Sequence, residues 1–106
     1  MVQYNRRVLV MDRKLAIQLL EVFKKQNSQK YGIEAIGLFG SVARDEAKHS
    51  SDVDICIKTK KADLFTMVHI KEELKKLMLS NIDIVRVRDD MNSFLKNRIE
   101  KEAIYV

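Results

Sequence analysis

The spacing of hydrophobic residues alternates between a helical and an extended period along the chain, and this alternation predicts a mixed α/β fold. Hydrophobic residues spaced three and four apart follow Asp12, which can cap a helix, and this helix is expected to end near Gly32. Residues 33–39 predict a first strand, and a short helix is expected to start near Ser41. Residues 7–11 fit either an edge strand or the lead-in to the first helix.

The second half of the chain repeats the alternation. It predicts a strand, a long amphipathic helix, another strand and a last helix, followed by an apolar tail, at residues 51–57, 64–78, 82–87, 92–103 and 104–106. Asn92 or Ser93 can cap the last helix. The predicted class is therefore α/β (α+β), a small sandwich in which helices cover one face of a short sheet and leave the other face open.

Composition and charge describe a small soluble protein. Its 106 residues, 46% of them hydrophobic and 33% charged, predict a single domain over residues 1–106. The sequence has no apolar run near the roughly 18 residues of a membrane span. It begins without the apolar stretch of a signal peptide, and its lone cysteine suits a reducing compartment, so a cytoplasmic protein without membrane contact is expected.

The net charge narrows the class of ligand. A formal charge of +5 favours a polyanion, and a nucleoside triphosphate is one. The basic residues are spread along the chain rather than collected in one arm. Direct binding to nucleic acid is therefore not expected.

The candidate chemistry is concentrated in residues 37–57. Asp52 and Asp54 lie two residues apart at the start of a predicted strand, so their side chains share one face of the sheet. The hydrophobic residues that alternate with them point to the opposite face, into a core. Paired carboxylates predict a cation site, although such a pair is also common on a solvated strand face. Cys56 lies on the same face without a second thiol or a histidine at ligand spacing, which predicts a packed thiol.

The residues around this pair resemble a known family signature. Gly40-Ser41-x-x-Arg44, followed by Ser51-Asp52-x-Asp54, is similar to the pattern of the nucleotidyltransferase superfamily that includes DNA polymerase β. In particular it resembles the minimal nucleotidyltransferases, or MNT domains, which are often encoded beside a HEPN-domain protein. That family usually has G-S-x-A-R-G-E in the first motif, and Asp45 stands here in place of the glycine. The resemblance covers most of the chain and implies the polymerase β-like fold, with a short mixed sheet and helices packed on one face.

Nucleotidyl transfer requires stabilisation of charge on both the attacking and the leaving oxygen, and two Mg²⁺ ions, or alternatively Mn²⁺, can supply it. Asp52 and Asp54 are expected to be shared ligands of these ions. Asp83, in the next predicted strand, is expected to be the third ligand, because a carboxylate among aliphatic residues is unfavourable unless it is paired or metal-bound. The alternative for Asp83 is an exposed position on an edge strand. By resemblance, it would favour deprotonation of the acceptor hydroxyl.

Binding of the nucleotide phosphates is expected from Gly40, Ser41 and Arg44. Glycine lets the backbone approach the phosphates, and the serine hydroxyl and the amides at the start of the short helix can donate to their oxygens. Arg44 could bind a phosphate, brace the carboxylates, or form a surface ion pair of little energetic value.

The resemblance implies that the protein is the antitoxin of a HEPN/MNT toxin–antitoxin pair. It would transfer AMP from ATP, or a nucleotide from another nucleoside triphosphate, to a tyrosine hydroxyl of the HEPN toxin. One alternative is an antitoxin that neutralises its partner by binding alone, which the departure at Asp45 favours. Another is transfer to a small molecule, for which no acceptor domain is evident. The amphipathic helices also leave a homo-oligomer open.

Overall fold

Helices and strands alternate along the chain, as the hydrophobic pattern predicts for every element but the last. The computed structural model describes residues 11–48, 51–61 and 63–106. The elements are α1 (Arg13–Tyr31), β1 (Ile33–Phe39), α2 (Gly40–Ala43), β2 (Val53–Thr59), α3 (Leu64–Met78), β3 (Ile82–Arg86), α4 (Ser93–Glu102) and β4 (Ile104–Tyr105). Residues 7–10, for which the sequence fits either an edge strand or the lead-in to α1, lie outside the described residues. Within them, no helix has the length and apolarity to cross a membrane.

Side-chain caps fix the ends of the predicted helices. The Asp12 carboxylate accepts a hydrogen bond from the Leu15 N–H at 2.7 Å, and α1 ends at Gly32, whose φ of 63° is in the left-handed region. The Asn92 side chain accepts from the Leu95 N–H at 3.1 Å and caps α4. Both predicted ends of α1 are confirmed. Of the two residues that could cap α4, the structure shows Asn92 as the cap rather than Ser93.

The strands form one mixed sheet in the order β3-β2-β1-β4. β2 is antiparallel to β1 and parallel to β3, and β4 is antiparallel to β1. This confirms the predicted fold class. The pairing of β4 was not predicted, because residues 104–106 were interpreted as an apolar tail. Gly37 makes room for this strand, since a Cβ there would lie 3.0 Å from the Ile104 carbonyl oxygen.

One face of the sheet carries the main hydrophobic core. Val53, Ile55 and Ile57 are fully buried on this face, where α1 and α3 cover the strands. The residues that α1 and α3 bury there are Ala16, Leu20, Phe23, Tyr31, Ile70, Leu74 and Met78. The predicted separation of apolar and acidic faces on β2 is therefore present.

The opposite face differs from the expectation of an open surface. Ile99 of α4 packs there against Phe39 and Cys56 in a second, smaller cluster, so α4 covers part of the face that carries the acidic residues. The physical reason lies in β1 and β2 themselves. Phe39 is opposite Asp54 in the sheet and Cys56 follows it by two positions, so both place apolar atoms on that face, and α4 buries them. Cys56 is fully buried, as expected of a packed thiol.

Ile99 is expected to hold α4 on the sheet. Replacing it in Ile99→Ala should lower the free energy of unfolding by about 2–4 kcal/mol, because a side chain that is 2% exposed leaves a cavity. Urea denaturation of the purified protein measures this change. Phe94→Ala is the matched control on the same helix, because Phe94 is 73% exposed, and it should change stability by less than about 0.5 kcal/mol. Equal effects of the two substitutions would contradict the packing of α4.

Candidate active site

The sheet register places two of the predicted carboxylates side by side. Asp54 of β2 is directly opposite Asp83 of β3 in the parallel pair. Neighbouring strands lie about 4.7–4.9 Å apart, and residues paired in register share a face, so the two carboxylates are neighbours. Asp52 lies immediately before β2 and is exposed, as is Asp83, whereas Asp54 is half-buried.

The electrostatics of Asp54 show how close these charges are. Burial, the negative charge of Asp83 and, to a smaller extent, that of Asp52 together raise the pKa of the Asp54 carboxyl to about 6, and the positive charge of Arg98 opposes this rise. The charges of both other predicted aspartates thus disfavour the ionised form of Asp54.

The donor set suits a divalent cation of the Mg²⁺ type, which prefers carboxylate oxygens and needs only one or two of them beside the oxygens of substrate phosphates. Among the described residues, no three Asp, Glu, His or Cys side chains are close enough together to hold a metal ion. The structure does pair Asp54 with Asp83 across the sheet, and Asp52 lies two residues before Asp54. A cation between these carboxylates would relieve the repulsion that raises the pKa of Asp54.

Gly40 is required by two features of the structure. Its φ of 75° is left-handed, and a Cβ at this position would lie 2.0 Å from Oδ2 of Asp54. The sequence predicts that this glycine allows the close approach of a phosphate. The structure adds that the carboxylate of Asp54 already occupies the space beside Gly40, so the predicted phosphate and metal halves of the site are in contact.

The other two predicted phosphate-binding residues lie in and after α2. Ser41 is partly exposed on this short helix, and Arg44 is exposed just after it. The Arg44 guanidinium pairs with Glu102 at 2.9 Å and with Glu46 at 3.5 Å. These contacts match the ion-pair alternative, and a role of Arg44 on a phosphate stays a prediction.

Asp45, at the position where the family usually has glycine, adopts the conformation that glycine favours. Its φ is 62°, in the left-handed region, which aspartate tolerates better than most residues. The departure from the family pattern therefore keeps the path of the loop.

Two residues of α4 that the sequence did not predict also reach this site. Arg98 lies 5.8 Å from the centre of the Phe39 ring, and its charge favours the ionised form of Asp54. Glu102 accepts a hydrogen bond from the Gly40 N–H at 3.2 Å and lies 3.7 Å from Arg98. The sequence does contain one indication of this arrangement. Arg98 and Glu102 are four residues apart, with the core residue Ile99 between them, so their side chains share a helix face.

The chain belongs to the polymerase β nucleotidyltransferase family, whose pattern matches residues 18–106. This confirms the resemblance found in the sequence and the assignment as a nucleotidyltransferase. The protein adenylyltransferase MntA of Thermococcus cleftensis is 32% identical over 89 residues, which are 83% of this chain and 89% of that protein.

Solved structures show the same fold. A candidate minimal nucleotidyltransferase superposes with a TM-score of 0.71 at 29% identity, covering 89% of this chain and 95% of that chain. A toxin–antitoxin complex with AMP-PNP gives a TM-score of 0.67 at 20% identity, covering 90% of this chain and 72% of that chain. The complex of a tri-AMPylated Shewanella oneidensis HEPN toxin with an MNT antitoxin gives a TM-score of 0.61 at 18% identity, covering 88% of this chain and 70% of that chain.

The raised pKa of Asp54 predicts how the metal-free protein responds to pH. The folded-state pKa of about 6 lies above the usual 3.8, so the folded protein binds more protons than the unfolded chain between these values and loses stability as the pH rises through them. Asp54→Asn should therefore raise the melting temperature at pH 7.5. Solvent screening limits the gain to about 1 kcal/mol, or roughly 4–8 °C.

Thermal unfolding with a chelator present measures this gain, and the difference from wild type should shrink towards pH 4. Asp89→Asn, which removes a fully exposed carboxylate, is the control for net charge. Equal melting temperatures of wild type and Asp54→Asn at pH 7.5 would contradict the predicted repulsion.

The left-handed backbone at residue 45 predicts a second change in stability. Asp45→Gly should raise the free energy of unfolding by about 0.5–1 kcal/mol, because glycine adopts this φ without steric cost. Asp45→Val should lower it by about 1 kcal/mol or more, since a β-branched side chain is strained there. Chemical denaturation of both variants tests the order, and a more stable valine variant would show that residue 45 is not left-handed in solution.

Proposed function

We propose that this protein is a Mg²⁺-dependent protein adenylyltransferase that transfers AMP from ATP to a tyrosine hydroxyl of a HEPN toxin, and that it acts as the antitoxin of this pair. The observation that carries the proposal is the pairing of Asp54 with Asp83 in the sheet, beside Asp52 and in contact with Gly40. The family supports the reaction class, and the names of similar proteins support a protein acceptor of the HEPN type. MntA of T. cleftensis is named a protein adenylyltransferase, and the S. oneidensis HEPN toxin is AMPylated in its complex with an MNT antitoxin.

In this reaction the acceptor hydroxyl oxygen bonds to the α-phosphorus of ATP, the bond to the bridging oxygen breaks, and pyrophosphate leaves with the electron pair of that bond. The metal ions, two Mg²⁺ or alternatively Mn²⁺, supply charge stabilisation at the attacking and leaving oxygens. Asp52 and Asp54 would hold these ions, and Asp83 would be the third ligand. By binding the ion that contacts the acceptor hydroxyl, Asp83 would favour loss of the hydroxyl proton to solvent.

The backbone and side chains that follow β1 orient the triphosphate. The Gly40 N–H, the Ser41 hydroxyl and the Arg44 guanidinium donate to phosphate oxygens and turn the α-phosphorus towards the carboxylates. The close approach of Gly40 to the Asp54 carboxylate, which leaves no room for a Cβ, supports a phosphate site next to the metal ligands.

The structure weakens the argument for the alternative of an antitoxin that neutralises its partner by binding alone. Asp45 was the residue that favoured it, and the backbone there has the left-handed φ expected of the family glycine.

Transfer of label from α-labelled ATP tests the proposal. The protein is incubated with Mg²⁺ and the HEPN-domain protein encoded beside it, and label on the partner is measured. The Asp52→Asn, Asp54→Asn double variant should lose more activity than the roughly 10–100-fold that loss of an outer-sphere metal partner costs. The chelator-treated wild type should be inactive and should recover with Mg²⁺.

The matched control is the Asp89→Asn, Asp90→Asn double variant, which removes two charges at exposed positions outside the site and should keep full activity. Replacing the labelled tyrosine of the partner by phenylalanine should abolish the label. Absence of label with wild type, while the Asp52, Asp54 variant still neutralises the toxin, would instead establish an antitoxin that acts by binding.

A further inference from the structure

The carboxylate of Glu102 occupies the donors that the proposed function assigns to the nucleotide. Its Oε1 accepts from the Gly40 N–H at 3.2 Å and from Nη1 of Arg44 at 2.9 Å. Arg98, one helical turn earlier on α4, lies 3.7 Å from the same oxygen. A single anionic oxygen thus collects one backbone donor and two guanidinium groups.

The position of this carboxylate is built into the fold. Glu102 is the last residue of α4, three residues after the buried Ile99 and two before β4, which pairs with β1. β1 leads directly into Gly40. The pairing of β4 with β1 therefore holds the carboxylate near the donors, and the Glu102 side chain is only 23% exposed.

A phosphate and a carboxylate compete for these groups for simple physical reasons. Each is an anion that accepts charge-assisted hydrogen bonds from the same N–H groups, and two anions at one donor repel each other. The Arg44 side chain is 40% exposed, so its ion pair with Glu102 is partly screened by solvent and can be exchanged.

We infer that Glu102 is an internal competitor of the nucleotide: it holds Gly40 and Arg44 in the nucleotide-free protein and leaves them when triphosphate binds. This inference rests on the proposed nucleotide site. Glu102 then sets how strongly an anion must bind in order to enter, which favours a multiply charged triphosphate. Arg98 remains near Glu102 after the exchange and keeps its charge paired.

Binding of a non-hydrolysable ATP analogue with Mg²⁺, measured by calorimetry, tests the inference. Glu102→Gln keeps the shape of the side chain and removes its charge, and it should bind the analogue about 3–10-fold more tightly than wild type. Glu100→Gln is the matched control, because it makes the same change of net charge at an exposed position of the same helix and should change affinity by less than about 2-fold.

A second measurement separates competition from a structural role. The amide resonance of Gly40 should differ between wild type and Glu102→Gln in the nucleotide-free proteins, because this N–H donates to Glu102. With saturating analogue the two resonances should converge, since a phosphate replaces the side chain in both. The remaining amide spectrum shows whether each variant is folded, and Glu102→Asp, with a shorter reach, should repeat the gain in affinity if the glutamine variant fails to fold.

The outcomes separate this inference from the proposed function. If wild type binds the analogue but Glu102→Gln binds no more tightly than Glu100→Gln, or if the Gly40 resonances stay apart at saturation, competition is overturned and the transferase proposal stands. Weaker binding by Glu102→Gln would show that Glu102 supports the phosphate site rather than competing for it. If the folded wild type and all variants fail to bind the analogue, the nucleotide site itself is wrong and both conclusions fall.

Discussion

The arrangement of the site depends on two like charges held next to each other across adjacent strands. Burial of Asp54, together with repulsion by Asp83, raises the pKa of its carboxyl to about 6, so an ionised Asp54 is unfavourable at this position. What holds the two aspartates there is the other face of the same strands, where Val53 and Ile55 are fully buried. A slip of β2 by one residue would exchange the two faces, burying the carboxylates and exposing the core, so hydrophobic packing fixes the register that the acidic pair requires.

The local parts of this structure could be predicted because their signals are local. Asp12 and Gly32 bound a helix through cap and left-handed backbone chemistry, and the aspartate pair was placed on one strand face by the period of two. The pairing of β4 was missed because two residues are too few to show a period, and their partners in β1 lie more than sixty positions earlier in the chain.

The contributions of Arg98 and Glu102 could not be predicted for a related reason. Their positions on α4 indicate a shared helix face, but which surface that face meets is decided by tertiary packing at Ile99. Once α4 lies over Phe39, its cation approaches Asp54 and its anion approaches Gly40. A prediction that placed every helix on the other side of the sheet had no means to assign them.

Within the described site, charged and polar groups that the proposed substrate would contact are paired with other residues of the protein. Near Asp54 the compensating positive charge comes from Arg98, and at Gly40 and Arg44 the compensating negative charge comes from Glu102. A metal–triphosphate complex would supply the same two kinds of charge: cations next to the carboxylates, and negatively charged phosphate oxygens next to the hydrogen-bond donors. Binding then exchanges internal partners for external ones instead of exposing bare charges. The free energy of association should therefore depend on the difference between these two sets of contacts, and Glu102 of α4 is the side chain expected to leave its partners when triphosphate binds.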